Sequence, residues 1–210
     1  MSVPKFRRRK TARPAEIVAA AQAIFADKGF AAARLDEIAA RAGVSKGALY
    51  LYFETKEDLF RAVVHDAVSP NIDAMAAMIA AYQGSFADLV RMALPRVAQV
   101  ITDSGAGPVV KMVVGESRNF PEIAKVWHDE VIAKGLGAIA GQVEKAQARG
   151  EVRPGDPRTH AFSLMGPIFI SVMWRETFTP VGAPSVDVVA VARQHMETVL
   201  GGLIVKEGRL

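Results

Sequence analysis

Apolar residues recur along this chain at the three- and four-residue spacing of a helix face, and almost nowhere at the alternation of a half-buried strand. Between Arg13 and Lys28, the residues Ile17, Val18, Ala21, Ile24 and Phe25 form one stripe, and Gly29 stands where a helix stop is expected. A second short stripe of Leu35, Ile38, Ala39 and Ala42 ends at Gly43. Ser45 is placed to cap a third short helix that turns Leu49 and Phe53 inward. Thr55 is placed to cap a fourth, with Glu57 and Asp58 in a first turn whose dipole favours acid.

The remainder reads as longer helices. Ser69-Pro70 opens one to Tyr82, and Ser85 caps another from Phe86 to Thr102 with a kink expected at Pro95. Gly107-Pro108 opens one to Ser117, and Pro121 opens a long one that stops at Gly150. Asp156-Pro157 opens the next, to Phe178, with a weak point at Gly166-Pro167, and Ser185 caps the last, to Val205. Nine or ten helices and no strand make an all-α fold. The most apolar run, Ala161 to Trp174, is 14 residues long, shorter than the roughly 17–25 needed to cross a bilayer. It reads as a buried core helix. No apolar stretch follows the N-terminal basic residues as in a secretory signal, so the expected location is the cytoplasm, with a transit peptide the alternative.

Composition adds little until charge is placed along the chain. Half of the 210 residues are hydrophobic, 23% are charged and none is cysteine, which removes disulfides, thiol chemistry and zinc ribbons. The net charge of +4 is confined to one end: residues 1–60 hold 11 basic and 7 acidic side chains, and the other 150 hold 15 of each. Six of the basic residues lie in the first 13 positions with no acid among them. The chain therefore divides into a basic arm (1–12), a small basic module (13–60) and a larger neutral part (61–210). A basic module attracts polyanions through counterion release; charge alone equally fits a solvated tail.

The stretch from Leu35 to Phe53 decides between these. Two short helices joined by the turn Ala42-Gly43-Val44 make a helix-turn-helix, whose second helix enters the major groove N-terminus first. Lys46 is able to reach a guanine edge or a phosphate, Gly47 lets the backbone come close, and the Ala48 methyl suits a thymine methyl. Glycine at the second helical position costs about 1 kcal/mol against alanine, so helix propensity did not place it. Lys56 and the free amides after Thr55 form an expected anion site. Tyr50 and Tyr52 lie off the inward stripe and suit phosphate contacts, or one packs in the small core.

From Arg13 to Phe60 the chain resembles the DNA-binding domain of the TetR family of bacterial transcriptional regulators. The residues that carry the resemblance are Ile17, Ala20, Ala21, Phe25, Gly29 and Phe30, then Leu35, Ile38, Ala39, Ala42 to Tyr50, Tyr52, Phe53, Lys56, Glu57 and Leu59. The resemblance implies that Lys46, Gly47, Ala48 and Leu51 face bases, that Tyr50, Tyr52 and Lys56 touch phosphates, and that Ser45 at the helix start joins this surface. Where the family commonly has a capping threonine this chain has Ala33, so Arg34 is expected to supply a phosphate contact and Asp36 part of the cap. Arg7, Arg8 and Arg9 are candidates for a minor groove.

The same resemblance implies that residues 61–210 bind a ligand and dimerise, the last two helices pairing across a two-fold axis. That sets two recognition helices one turn of DNA apart and makes the operator a palindrome. Met78, Phe86, Met112, Trp127, His128, Met165, Phe169, Met173 and Trp174 are the candidate pocket residues, or simply core; with so few polar groups the effector should be small and apolar. Glu116 and Arg118, in a stretch similar to multidrug-type members, read as a pocket mouth or a surface pair. The four histidines are dispersed without carboxylates at ligand spacing, so neither metal nor cofactor is expected. A regulator controlled by a protein partner, or with no small-molecule ligand, is the alternative. An all-helical enzyme lacks any supporting motif. Removing residues 1–12 should flatten the slope of log affinity for DNA against log salt concentration; an unchanged slope would make the arm a passive tail.

Overall fold

The computed structural model describes residues 13–204, so the basic arm and the last residues lie outside it. Among the described residues the helices are α1 (Arg13–Ala32), α2 (Leu35–Arg41), α3 (Lys46–Tyr50), α4 (Lys56–Val63), α5 (Ser69–Ala81), α6 (Phe86–Asp103), α7 (Ala106–Glu116), α8 (Pro121–Trp127), α9 (Ala133–Ala148), α10 (Pro157–Thr177) and α11 (Val188–Leu203). One antiparallel bridge, Val152 to Ile204, is the only β contact among them. The all-α reading holds.

Local chemistry explains most boundaries. Ser45 accepts the Ala48 amide at the start of α3. Thr55 and Asp58 satisfy one another's backbone amides in a capping box at α4. Ser85 and Asp156 cap α6 and α10. Gly29 breaks the regularity of α1 at a left-handed φ of 80°, and Gly43 turns the chain between α2 and α3 at 67°.

Three readings differ in the structure. Ser69 is not a cap: the chain stays helical from α4 to α5 through a π-helical stretch, Val64–Val68, in which the Ser69 amide bonds Val64 O. Pro70 lacks an amide and crowds the carbonyl four residues back, so the wider register absorbs it. A second π stretch, His128–Ile132, joins α8 to α9 as one rod, in keeping with the single long helix expected from Pro121 to Gly150. The cap of α11 is Asp187, whose carboxylate takes the amides of Val189 and Ala190, rather than Ser185. At Gly166-Pro167 helix α10 runs on without a break. The Ser163 carbonyl that Pro167 leaves without its helical donor is met by His195 Nε2 of α11 at 2.9 Å.

The buried side chains form two clusters. The first joins α1–α4 to α7 and α8 through Phe25, Phe30, Leu49, Phe60, Val109, Met112, Ile123 and Trp127. The second lies between α5, α6, α9, α10 and α11, around Phe86, Leu89, Leu94, Leu164, Ile168 and Leu200. Helix α7 packs on α1 and also on α6 and α10, so it spans the two. No helix among the described residues is long and apolar enough to cross a membrane.

Candidate nucleic-acid interface

Helix α3 is held from one side only. Leu49 is fully buried and Phe53 packs against the first cluster, which leaves Lys46, Gly47, Tyr50, Leu51 and Tyr52 exposed along the other side. Ala48 is half-buried. Leu51, at the C-terminal end of α3, is 84% exposed, an unusual state for a large apolar side chain and one that suits contact with a thymine methyl. A Cβ at Gly47 would meet open space, so nothing inside the protein demands glycine there.

Beside α3 runs an open groove of about 300 Å³ lined by Ala33, Arg34, Leu35, Asp36, Lys46, Tyr50 and Lys56. Arg34 forms a two-pronged ion pair with Asp36, Nε to Oδ1 at 3.1 Å and Nη2 to Oδ2 at 2.9 Å. This fork is the main reason the Asp36 carboxyl is held down at about 2. Asp36 Oδ1 also accepts the Glu37 amide, so it takes over part of the cap that Ala33 does not provide. Arg34 itself, at the cap position of α2, makes no side-chain cap bond.

Lys56 does a different job from the phosphate contact expected of it. Its ammonium donates to the carbonyls of Phe30, Ala31 and Ala33 at 2.6, 3.2 and 3.1 Å and lies over the Phe30 ring, 4.6 Å from its centre. An ammonium has three donors, and the chain's own backbone takes them. The opposite side of the same segment faces Glu116, at the end of α7. Its carboxylate accepts the amides of Phe30 at 2.9 Å and Ala31 at 2.6 Å. Glu116 is therefore neither at a pocket mouth nor paired with Arg118, which is exposed. Phe120 stacks edge-on against Phe30, with ring centres 5.1 Å apart. A Cβ at Gly29 would collide with the Glu116 carboxylate, so glycine there serves both the turn and the clamp.

Comparison with known proteins identifies the family and the fold. Residues 17–63 match the model described as bacterial regulatory proteins, tetR family, and residues 81–192, over half the chain, match the tetracyclin repressor-like C-terminal domain. The chain belongs to the TetR family. Its fold matches that of a putative TetR-family regulator from Mesorhizobium loti at a TM-score of 0.74, with 24% identity, covering 95% of this chain and 100% of that one. It also matches FadR from Bacillus subtilis, solved in complex with stearoyl-CoA, at a TM-score of 0.72 with 21% identity, covering 90% and 98%. The transcriptional activator FasR of Mycolicibacterium smegmatis is 48% identical over 52 residues, 25% of this chain and 24% of that protein. In a further curated relative the matched stretch is likewise only 35% of its length.

The candidate pocket residues are not brought together in this TetR-family chain. A narrow apolar cavity of about 30 Å³ lies between α5, α6, α9 and α10, and of the candidates only Phe86 and Met165 line it. Its other walls, among them Ile79, Leu89, Val90, Leu94, Ile139 and Leu164, were not singled out by sequence. Met78 packs beside the second cluster, whereas Met112 and Trp127 belong to the first. His128 is at the surface against Asp129, and Phe169 and Trp174 are exposed on α10. Met173 is half-buried and lines no part of the cavity. Gln142 is the one polar side chain on the wall, and its amide nitrogen is spent on the carbonyls of Ile79, Ala80 and Tyr82.

Replacing Glu116 with glutamine removes a charged acceptor from two amides. Urea denaturation should show a loss of about 1.5–3 kcal/mol, and hydrogen exchange at the Phe30 and Ala31 amides should accelerate. Unchanged exchange at those two amides would mean that the clamp is not formed in solution.

Proposed function

We propose that this protein is a sequence-specific DNA-binding regulator, a repressor released by a small apolar effector, and that it reads a palindromic operator as a homodimer. The observation that carries the reading is the exposed side of α3, where Lys46, Gly47, Tyr50, Leu51 and Tyr52 are presented by a helix anchored from behind on Leu49. Lys46, Ala48 and Leu51 read base edges, Gly47 lets the backbone approach, and Ser45, Tyr50, Tyr52 and Arg34 contact the phosphates. Residues 13–60 act as the reading head, 61–210 as the body that binds effector and partner, and 1–12 as an arm on the DNA backbone. Double-stranded DNA is the expected partner and no catalytic role is assigned.

The homodimer is supported by one stripe of α10. Phe162, Phe169, Ile170, Trp174 and Phe178 recur at helical spacing on its exposed side, and Val181 follows in the next turn. A contiguous apolar face of this length is uncommon on a surface that stays in water. Part of it is pre-shaped: Trp174 donates to Pro184 O at 2.9 Å and its ring lies 5.1 Å from that of Phe178. A second copy of the same face, set by two-fold symmetry, covers it.

The effector reading rests on the cavity wall, which is apolar apart from Gln142. Its small volume holds about one water, whereas sites for drug-sized ligands run to roughly 300 Å³ and more. An effector must therefore part α5, α6, α9 and α10 to enter. FadR, of the same fold, was solved in complex with stearoyl-CoA, a ligand that joins a long apolar acyl chain to a polar, anionic CoA.

Two measurements test the reading. Lys46→Ala should weaken binding to a selected operator by about 1–3 kcal/mol in a gel-shift titration; an equal loss on every sequence would make Lys46 a phosphate contact. Ile170→Glu places a charge on a side chain that is 60% exposed, so the monomer should fold while the dimer fails in sedimentation. A dimer that persists would move the interface elsewhere.

A further inference from the structure

The groove beside α3 contains one feature that DNA attraction alone does not explain. Asp36 is the only acid among its lining residues, beside the cations Arg34, Lys46 and Lys56, and it is bonded to Arg34. The Lys46 charge also acts on the Asp36 carboxylate. We propose that Asp36 is a positioning residue that sets how sharply the head separates its operator from other DNA, by fixing the Arg34 guanidinium and withholding its charge from arbitrary duplex. The inference rests on the DNA-binding reading above.

Stability is a poor reason for the pair. The Arg34 and Asp36 side chains are 69% and 41% exposed, and ion pairs so open to water add little to folding. The geometry serves orientation instead. Two parallel bonds, from Nε and Nη2, hold the planar guanidinium in one setting, and Nη1 makes no bond among the described residues. The carboxylate is itself anchored by the Glu37 amide in the first turn of α2. Arg34 thus points from a rigid element at a defined angle to α3. On the operator, where α3 is seated in one register, a pre-set arginine meets a phosphate without an orientational search. On arbitrary sequence, binding follows the number of phosphates neutralised, and a carboxylate in the groove cancels one cation.

Asparagine keeps the acceptor for the Glu37 amide and removes the charge, and glutamate keeps the charge and lengthens the arm. Full-length wild type, Asp36→Asn and Asp36→Glu are titrated by fluorescence anisotropy against two duplexes of equal length. One is the palindrome recovered by wild type from a random-oligonucleotide selection and the other is its scrambled version. Between about 50 and 200 mM salt, Asp36→Asn should bind the scrambled duplex roughly three- to tenfold more tightly, with a salt slope steeper by about 0.9. The ratio of operator to scrambled affinity should fall at least about threefold. Asp36→Glu should keep the wild-type slope and scrambled affinity. An equal gain on both duplexes would reduce Asp36 to bulk charge, and no change on either would leave a surface ion pair without a role; each overturns the inference while the DNA-binding reading stands. A wild type that selects no duplex overturns both.

Discussion

The fold of α1–α4 depends on how the five residues from Gly29 to Ala33 are held. Gly29 to Ala33 turn the chain from α1 to α2, and a turn in that place leaves amides and carbonyls that no helix satisfies. Two side chains of opposite sign meet them from opposite sides. The Glu116 carboxylate takes the amides of Phe30 and Ala31, and the Lys56 ammonium takes the carbonyls of Phe30, Ala31 and Ala33. Each charge meets the backbone groups it can bond, and the peptide units lie between them. Bonds of this charge-assisted kind contribute about 1.5–3 kcal/mol apiece where the alternative is an unmet amide. Because Lys56 opens α4 and Glu116 closes α7, the same five residues tie the start of α2 to both.

A related device recurs at three other helix ends. Gln142 reaches from α9 to the last carbonyls of α5, Lys111 donates to Glu176 O near the end of α10, and Glu151 accepts the Phe86 amide at the start of α6. Helix dipoles favour this pattern, with cations near C-termini and anions near N-termini. It also explains which boundaries were legible in the sequence. Ser45, Thr55, Ser85 and Asp156 act on amides two or three residues away, and Gly29 and Gly43 act through their own φ, so local reasoning found them. Lys56, Glu116 and Gln142 act across 23 to 86 residues of chain, a separation that no local pattern encodes. The π stretch before Pro70 escaped for a related reason. A proline after a serine reads as a start, and only the neighbours packed around Pro70 favour widening the helix over ending it.

The candidate interface was more legible than the cavity, and the difference is chemical. On α3 the exposed side is written by residue types that a core would not choose, namely lysine, glycine and two tyrosines opposite one buried leucine. In the body, leucine, methionine and phenylalanine serve equally as packing, as cavity wall and as an exposed apolar face. Periodicity states that such a residue leaves water but not what it meets. Phe86 and Phe169 both read as pocket residues; one is buried on the cavity wall and the other lies on the uncovered side of α10.

The cavity and the reading head belong to different apolar clusters, which constrains how either can sense the other. Interiors packed at crystal density transmit displacement only through elements anchored in both parts. Helix α7 meets that condition. Its first turns lie against α10, where Lys111 holds Glu176 O and Gly107 leaves room for the Arg175 and Glu176 side chains. Its last residue is Glu116, bonded to the end of α1. Eleven residues of helix cover about 16 Å. A ligand that parts α10 from α6 must therefore either carry α7 with it or break the contacts at one of its ends. The free energy available for either is limited to the difference in the ligand's affinity for the two arrangements, typically about 1–3 kcal/mol.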